Sequence, residues 1–156
     1  MDETPPYGSY AAIMGAFAGM LAAAGVAERV LGRDPQCQTT LDFAVLSAAS
    51  FKAARTLSRD EVTSFLREPF VRGHAHSGED EQPVRGGTHQ AIGELVTCTR
   101  CVGTWAAAGL TATQILAPRF GRLLTWSFAA AAVNDWLSAG FAALTAKSNE
   151  LEQRAG

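Results

Sequence analysis

Four stretches of the chain are apolar and almost free of charge, and polar segments separate them. Ser9 to Ala27 carries no charged residue over 19 positions. At 1.5 Å per residue that is about the length needed to cross a bilayer. It is apolar all round rather than along one stripe, the pattern of a helix with no water-facing side. Ala11, Gly15, Gly19 and Ala23 recur every four positions within it, and small residues at that spacing let a second helix backbone come close. Pro5-Pro6 bars a helix before this point.

Residues 28–40 are a polar connector. The second stretch, 41–57, is weaker, because Asp42, Lys52 and Arg55 interrupt it near its ends. Long basic side chains there can reach the headgroups, so it reads as a marginal span or an interfacial helix. The third stretch is 102–118. The fourth is 123–146, 24 residues with a single charge, Asp135.

Between the second and third stretches lies the long polar segment 58–93. Ser58 with Glu61 three residues on predicts a capping box opening a short helix. Val62, Phe65 and Leu66 give that helix one apolar side, and Pro69 ends it. From Arg72 to Gly87 there is almost nothing apolar, which predicts a mobile loop.

The expectation is a single all-α domain over 1–156, a small polytopic membrane bundle of about four apolar helices with one polar loop. Lys and Arg near the helix ends favour the polar segment and both termini on the cytoplasmic side. The alternative is a soluble helical bundle. Charged residues make up 18% of the chain and the formal net charge is -2, so nothing points to nucleic-acid binding. Asp2 and Glu3 precede the first apolar run where a signal peptide would be basic. Three cysteines do not make a secreted disulfide framework.

Candidate chemistry concentrates where the polar segment ends. Glu94, Cys98, Cys101 and Trp105 are spaced four, three and four apart, which on one helix places them on one stripe. Glu94 would stay outside the lipid, and Trp105 would anchor at the interface. Cys98-x-x-Cys101 suits a disulfide, two ligands to one metal such as zinc, or a structural pair where helices meet. In a reducing compartment free thiols or a bound metal are expected rather than a disulfide. Further zinc ligands would have to come from His74, His76 and His89, and Cys37 stands alone. Asp135, beside Asn134 in the last apolar run, predicts a carboxylate turned toward a neighbouring helix.

Several short motifs occur in a fixed order: Lys52-Ala53-Ala54-Arg55-Thr56-Leu57, Asp60-Glu61-Val62-Thr63, Leu66-Arg67-Glu68-Pro69-Phe70, and Gly93 through Trp105. As a set they resemble a family of small bacterial membrane proteins, domain of unknown function 1360, over roughly residues 41–145. That family includes a Bacillus sporulation-associated member. The resemblance implies a membrane class and adds Arg55, Asp60 and Arg67 to Glu94 and the cysteines as site candidates. It implies no activity. The expected function is an interaction or structural role organised around the Cys-x-x-Cys helix entrance. Its partners would be the bilayer and a membrane protein or further copies of the chain. A membrane thiol-disulfide oxidoreductase and a metal-binding membrane protein are the alternatives.

Overall fold

The structure is a computed structural model and describes residues 5–33, 38–73 and 81–155. Among them are six α-helices: α1 (Tyr7–Val30), α2 (Thr40–Arg59), α3 (Ser64–Arg67), α4 (Gly87–Thr97), α5 (Thr99–Leu116) and α6 (Pro118–Ala155). Each of the four apolar stretches falls on one of the long helices α1, α2, α5 and α6. The all-α expectation holds, with one small addition. Val71–Arg72 (β1) and Gln82–Pro83 (β2) pair antiparallel as a short hairpin, flanking the centre of the expected loop, whose residues 74–80 lie outside the described ones.

The helix ends follow local chemistry. Thr39 caps α2 by accepting from the Asp42 backbone, and the Asp42 side chain accepts from the Thr39 backbone. The capping box therefore sits here and not at Ser58, which lies inside α2 with its hydroxyl bonded to Thr99 Oγ1 at 2.8 Å. A single residue, Ala117, joins α5 to α6, and Pro118 opens α6, where its missing N–H costs nothing. Gly121 makes this sharp reversal possible: a Cβ there would lie 2.5 Å from the Gln114 backbone nitrogen. Gln114 Nε2 donates to Thr125 Oγ1 at 2.8 Å, and that hydroxyl donates to Gly121 O, with Thr125 fully buried.

The contacts fix the helix directions. Ser58 meets Thr99 while Ala49 packs with Leu110, so α2 and α5 are antiparallel. Ala49 packs with Ala129 and Lys52 reaches Asp135, so α2 and α6 are parallel. Tyr10 reaches Glu94 and Phe17 packs on Trp105, so α1 runs with α5. The start of α1, the end of α2, the polar segment and the far end of α6 therefore gather at one end of the bundle. Below that end the core is made mostly of alanine: Ala49, Ala53, Ala54, Ala129 and Ala132, with Val102 and Leu110. Small residues bring the helices close but bury little area.

The large apolar side chains instead face outward, among them Met14, Leu21, Phe43, Phe51, Trp126, Trp136 and Phe141. The chain exposes 10756 Å² at 16.4 kDa, whereas ordinary size scaling gives a folded soluble monomer of this mass about 7,500 Å². Among the described helices, α1 alone is long and apolar enough to cross a membrane by composition. The expected four spans are thus narrowed to one by that measure. Lys52, Arg55 and Arg59 in α2, Arg100 in α5, and Arg119, Arg122 and Asp135 in α6 dilute the others. The small-residue face of α1 also departs from expectation. Ala11, Gly15, Gly19 and Ala23 are all exposed, and nothing lies within 4 Å of a Cβ built on Gly15 or Gly19. The face of α1 that meets the bundle is the one bearing Tyr10 and Phe17.

Candidate functional site

The polar cap is built around Arg67, which is 1% exposed. The last turn of any helix leaves carbonyls without partners, and Arg67 fills that need for α2. Its Nη1 donates to Leu57 O at 2.8 Å, and Nη1 and Nη2 both reach Asp60 O at 3.2 Å. Nη1 also donates to Thr63 Oγ1 at 3.0 Å. The other edge of the guanidinium takes Glu81 as a fork, Nε to Oε2 at 2.7 Å and Nη2 to Oε1 at 3.1 Å. A planar five-donor group is suited to this two-sided arrangement, which a lysine could not reproduce. Arg67 thereby ties the end of α2, the following 3-10 turn (Glu61–Thr63) and the approach to β2 into one unit.

Asp60 links that unit to the helices. Its backbone serves Arg67, and its carboxylate lies 3.9 Å from Lys52 Nζ. Lys52 in turn reaches Asp135 Oδ2 at 2.8 Å. Asp135 faces a neighbouring helix, as its position in the sequence suggested. Lys52 is held in an ion pair rather than extended along the surface. Arg55, by contrast, is exposed on α2 and enters none of these contacts.

The hairpin presses on α4. A Cβ on Gly93 would lie 2.5 Å from Phe70 O and 3.1 Å from Pro83 Cβ, so only glycine lets α4 pass this close. The next residue, Glu94, is held from two sides. Tyr10 of α1 donates to Oε2, and Gln90 Nε2 donates to Oε1 at 2.9 Å. Gln90 also accepts from Gly86 N at 3.1 Å, steadying the start of α4.

The expected single helix through Glu94 and Trp105 is broken. α4 ends at Thr97, and Cys98 is extended, with φ -89 and ψ 99. Cys98 then caps α5, its sulfur accepting from the Cys101 backbone N–H at 3.3 Å. The stripe survives in another form. Glu94 and Trp105 both turn to α1, the first to Tyr10 and the second to Phe17, whose ring lies 5.1 Å away at 69°.

Cys98 and Cys101 are paired as a disulfide, with Cα atoms 5.3 Å apart, one of the three states that the Cys-x-x-Cys spacing suits. Cys101 is exposed and Cys98 half-buried. Among the described residues no group of three or more His, Cys, Asp or Glu is placed to hold a metal. His89 stacks obliquely near Phe70, and Cys37, His74 and His76 lie outside the described residues.

Sequence reasoning missed Glu81, Tyr10 and the Gln114–Thr125 bond. A buried arginine demands a carboxylate, which was a usable signal for Glu81, although Glu79, Asp80 and Glu81 compete for that place in the sequence. The site as a whole closes charges on one another. Among the described residues, two apolar grooves lie elsewhere, of about 400 Å³ between α1 and α5 and about 810 Å³ between α2 and α6.

Comparison with known proteins adds a family and one relative. The family described as "Protein of unknown function (DUF1360)" matches residues 45–141. Sporulation protein YjcA of Bacillus subtilis (strain 168) is 30% identical over 95 residues, covering 54% of this chain and 76% of the relative. No solved structure matches the chain.

Proposed function

We propose that this chain, which belongs to the DUF1360 family, is a multi-pass protein of the bacterial cytoplasmic membrane that works by holding a partner rather than by turning over a substrate. α1, α2, α5 and the first part of α6 form the membrane bundle, and the polar cap with both termini lies on the cytoplasmic side. The observation that carries this reading is the distribution of polarity. Large apolar side chains face outward along the helices, while Lys52, Asp60, Asp135, Arg67 and Glu81 form ion pairs at one end. An outward apolar surface of that extent is stable only when covered. Lipid covers it at the least cost for helices of this length. The alternating helix directions support this reading, since the start of α1, the cap and the end of α6 lie toward one end, as an even number of spans requires. Carbonate washing of membranes tests this: the full chain should stay in the pellet and need detergent for release. Recovery as a soluble monomer without detergent refutes the membrane reading.

A second reading has its own observation, the disulfide at the start of α5 with Cys101 exposed. In thiol–disulfide exchange a partner dithiol would attack this bond. The partner would leave as a disulfide, and Cys98 and Cys101 would be left as two thiols, with two electrons and two protons gained. Exchange runs in both directions, so replacing Cys98 or Cys101 singly by Ser leaves one thiol that attacks the oxidised, disulfide-bearing form of the partner and stays joined to it as a mixed disulfide, the partner's other sulfur leaving as a thiol. A covalent adduct in cells from one single variant and none from the double variant supports exchange. Zinc on the reduced pair needs two more ligands, so metal analysis after anaerobic purification separates the metal-binding alternative from both.

A further inference from the structure

Among the described residues, the second half of α6 is largely uncovered. Every residue from Trp136 to Asn149 is exposed: Trp136 still lies near Phe51 of α2, and further on α6 outruns α2. Asp135 lies opposite Lys52, only seven residues before α2 ends at Arg59, while α6 continues for 20 more to Ala155. This exposed segment, which runs on into the overhang, is not uniformly polar. Leu137, Phe141, Leu144, Ser148 and Leu151 follow each other at four, three, four and three residues. That is the 3.5-residue repeat of a helix seam, with the three leucines at d and Phe141 and Ser148 at a. The four apolar members are exposed by half or more.

We infer that this overhang pairs, in parallel and in register, with the same segment of a second copy of the chain. The register follows from charge. With leucine at d, Lys147 falls at g and Glu152 at the e position five residues on. In a parallel pair, g of one helix meets this e of the other. Lys147 of each copy therefore meets Glu152 of its mate, twice by symmetry. An antiparallel pair loses this match. In the single chain Lys147 is bridged to Glu150 at 2.9 Å with both ends well exposed. Such an exposed bridge is readily exchanged, and Glu150 keeps Arg154. The seam spans about 21 Å at helical rise, too short to hold free peptides together but adequate for chains already confined together. That confinement, and the shared orientation that makes every pair parallel, rest on the membrane reading proposed above.

Disulfide trapping in membranes tests the pairing on the full chain. Leu144→Cys and Leu151→Cys place a thiol at the seam, and Ala146→Cys places one on the far side of the same helix. All three positions are exposed, so none of the changes disturbs the fold. Mild oxidation should link Leu144→Cys and Leu151→Cys as dimers several-fold more than Ala146→Cys. Lys147→Glu should lower the yield at Leu144→Cys, and adding Glu152→Lys should restore it. Equal linking at seam and far side, or indifference to the charge reversal, overturns the pairing while the membrane reading stands. Loss of the chain from the carbonate-washed pellet overturns the membrane reading, and the parallel register falls with it.

Discussion

Two ion pairs close the cap, and they are built differently. Arg67 and Glu81 are 1% and 11% exposed and meet through a two-bond fork. Lys52 and Asp135 are 19% and 43% exposed, meet through one bond, and have Asp60 nearby as an alternative partner for the lysine. The first pair also satisfies the carbonyls at the end of α2, so no part of it can be removed without orphaning several groups at once. The second joins two helix faces that already pack through Ala49, Ala129 and Ala132. Burial and the number of bonds per charge thus separate a pair that determines the fold from one that adjusts it.

That difference predicts a large effect at Arg67. Arg67→Met should lower stability by about 3–5 kcal/mol, the usual cost of leaving a buried charge without its mate. Arg67→Lys should recover little of it, since one ammonium cannot serve Glu81 and three oxygen acceptors of the α2 end together. Thermal unfolding in detergent measures both. A loss under about 1 kcal/mol for Arg67→Met would place this pair in the same class as the surface one.

Gly93→Ala comes next. Its Cβ would stand 2.5 Å from a backbone oxygen and against the Pro83 ring, neither of which is a flexible side-chain end. Overpacking of this kind costs about 1–3 kcal/mol. The damage should fall on the hairpin and α4, read as faster amide exchange at Val84, whose N–H is held by Phe70 O at 2.9 Å. Unchanged protection at Val84 would show that α4 can slide away from the hairpin freely.

Asp135→Leu should be milder. With the carboxylate 43% exposed, solvent screening holds the pair to about 0–1 kcal/mol, and Lys52 can turn to Asp60. A double-mutant cycle with Lys52→Met gives the coupling directly. Coupling above about 2 kcal/mol, well beyond an exposed pair, would mean that the second pair also determines the fold.

How far these elements were legible in the sequence depends on the range of the cause. The four long helices were legible because charge-free runs are local. The need of Asp135 for a partner was legible as well, but the partner lies 83 residues away and carried no pattern. The break at Cys98 was hidden because the 94, 98, 101, 105 spacing runs straight across it. What bends the chain there is tertiary, with α4 drawn onto the hairpin through Gly93 and α5 drawn along α2 through Ser58 and Thr99. The Ser58 capping signal misled for the same reason, since a buried hydroxyl with a partner on α5 has no need to end a helix. Glu81 sits in an acidic run whose composition reads as loop, and only the burial of Arg67 singles it out.

The smallest expected effect is on α1. The four-residue repeat of small side chains predicts tight packing, so Gly15→Leu and Gly19→Leu should be harmful by sequence alone. In the structure both positions face away from the bundle with open space around them. A leucine there meets no neighbour in the chain, and exchanging glycine for leucine within a helix favours the helix by somewhat under about 1 kcal/mol. The thermal midpoint of the detergent-solubilised monomer should therefore stay level or rise slightly with either substitution. The two ion pairs, Arg67–Glu81 and Lys52–Asp135, should be unaffected, since all four residues lie on elements other than α1 and pair with one another. A clear fall in the midpoint under monomeric conditions would mean that α1 turns its small-residue face to the bundle, and the Tyr10–Glu94 and Phe17–Trp105 contacts would have to be given up with it.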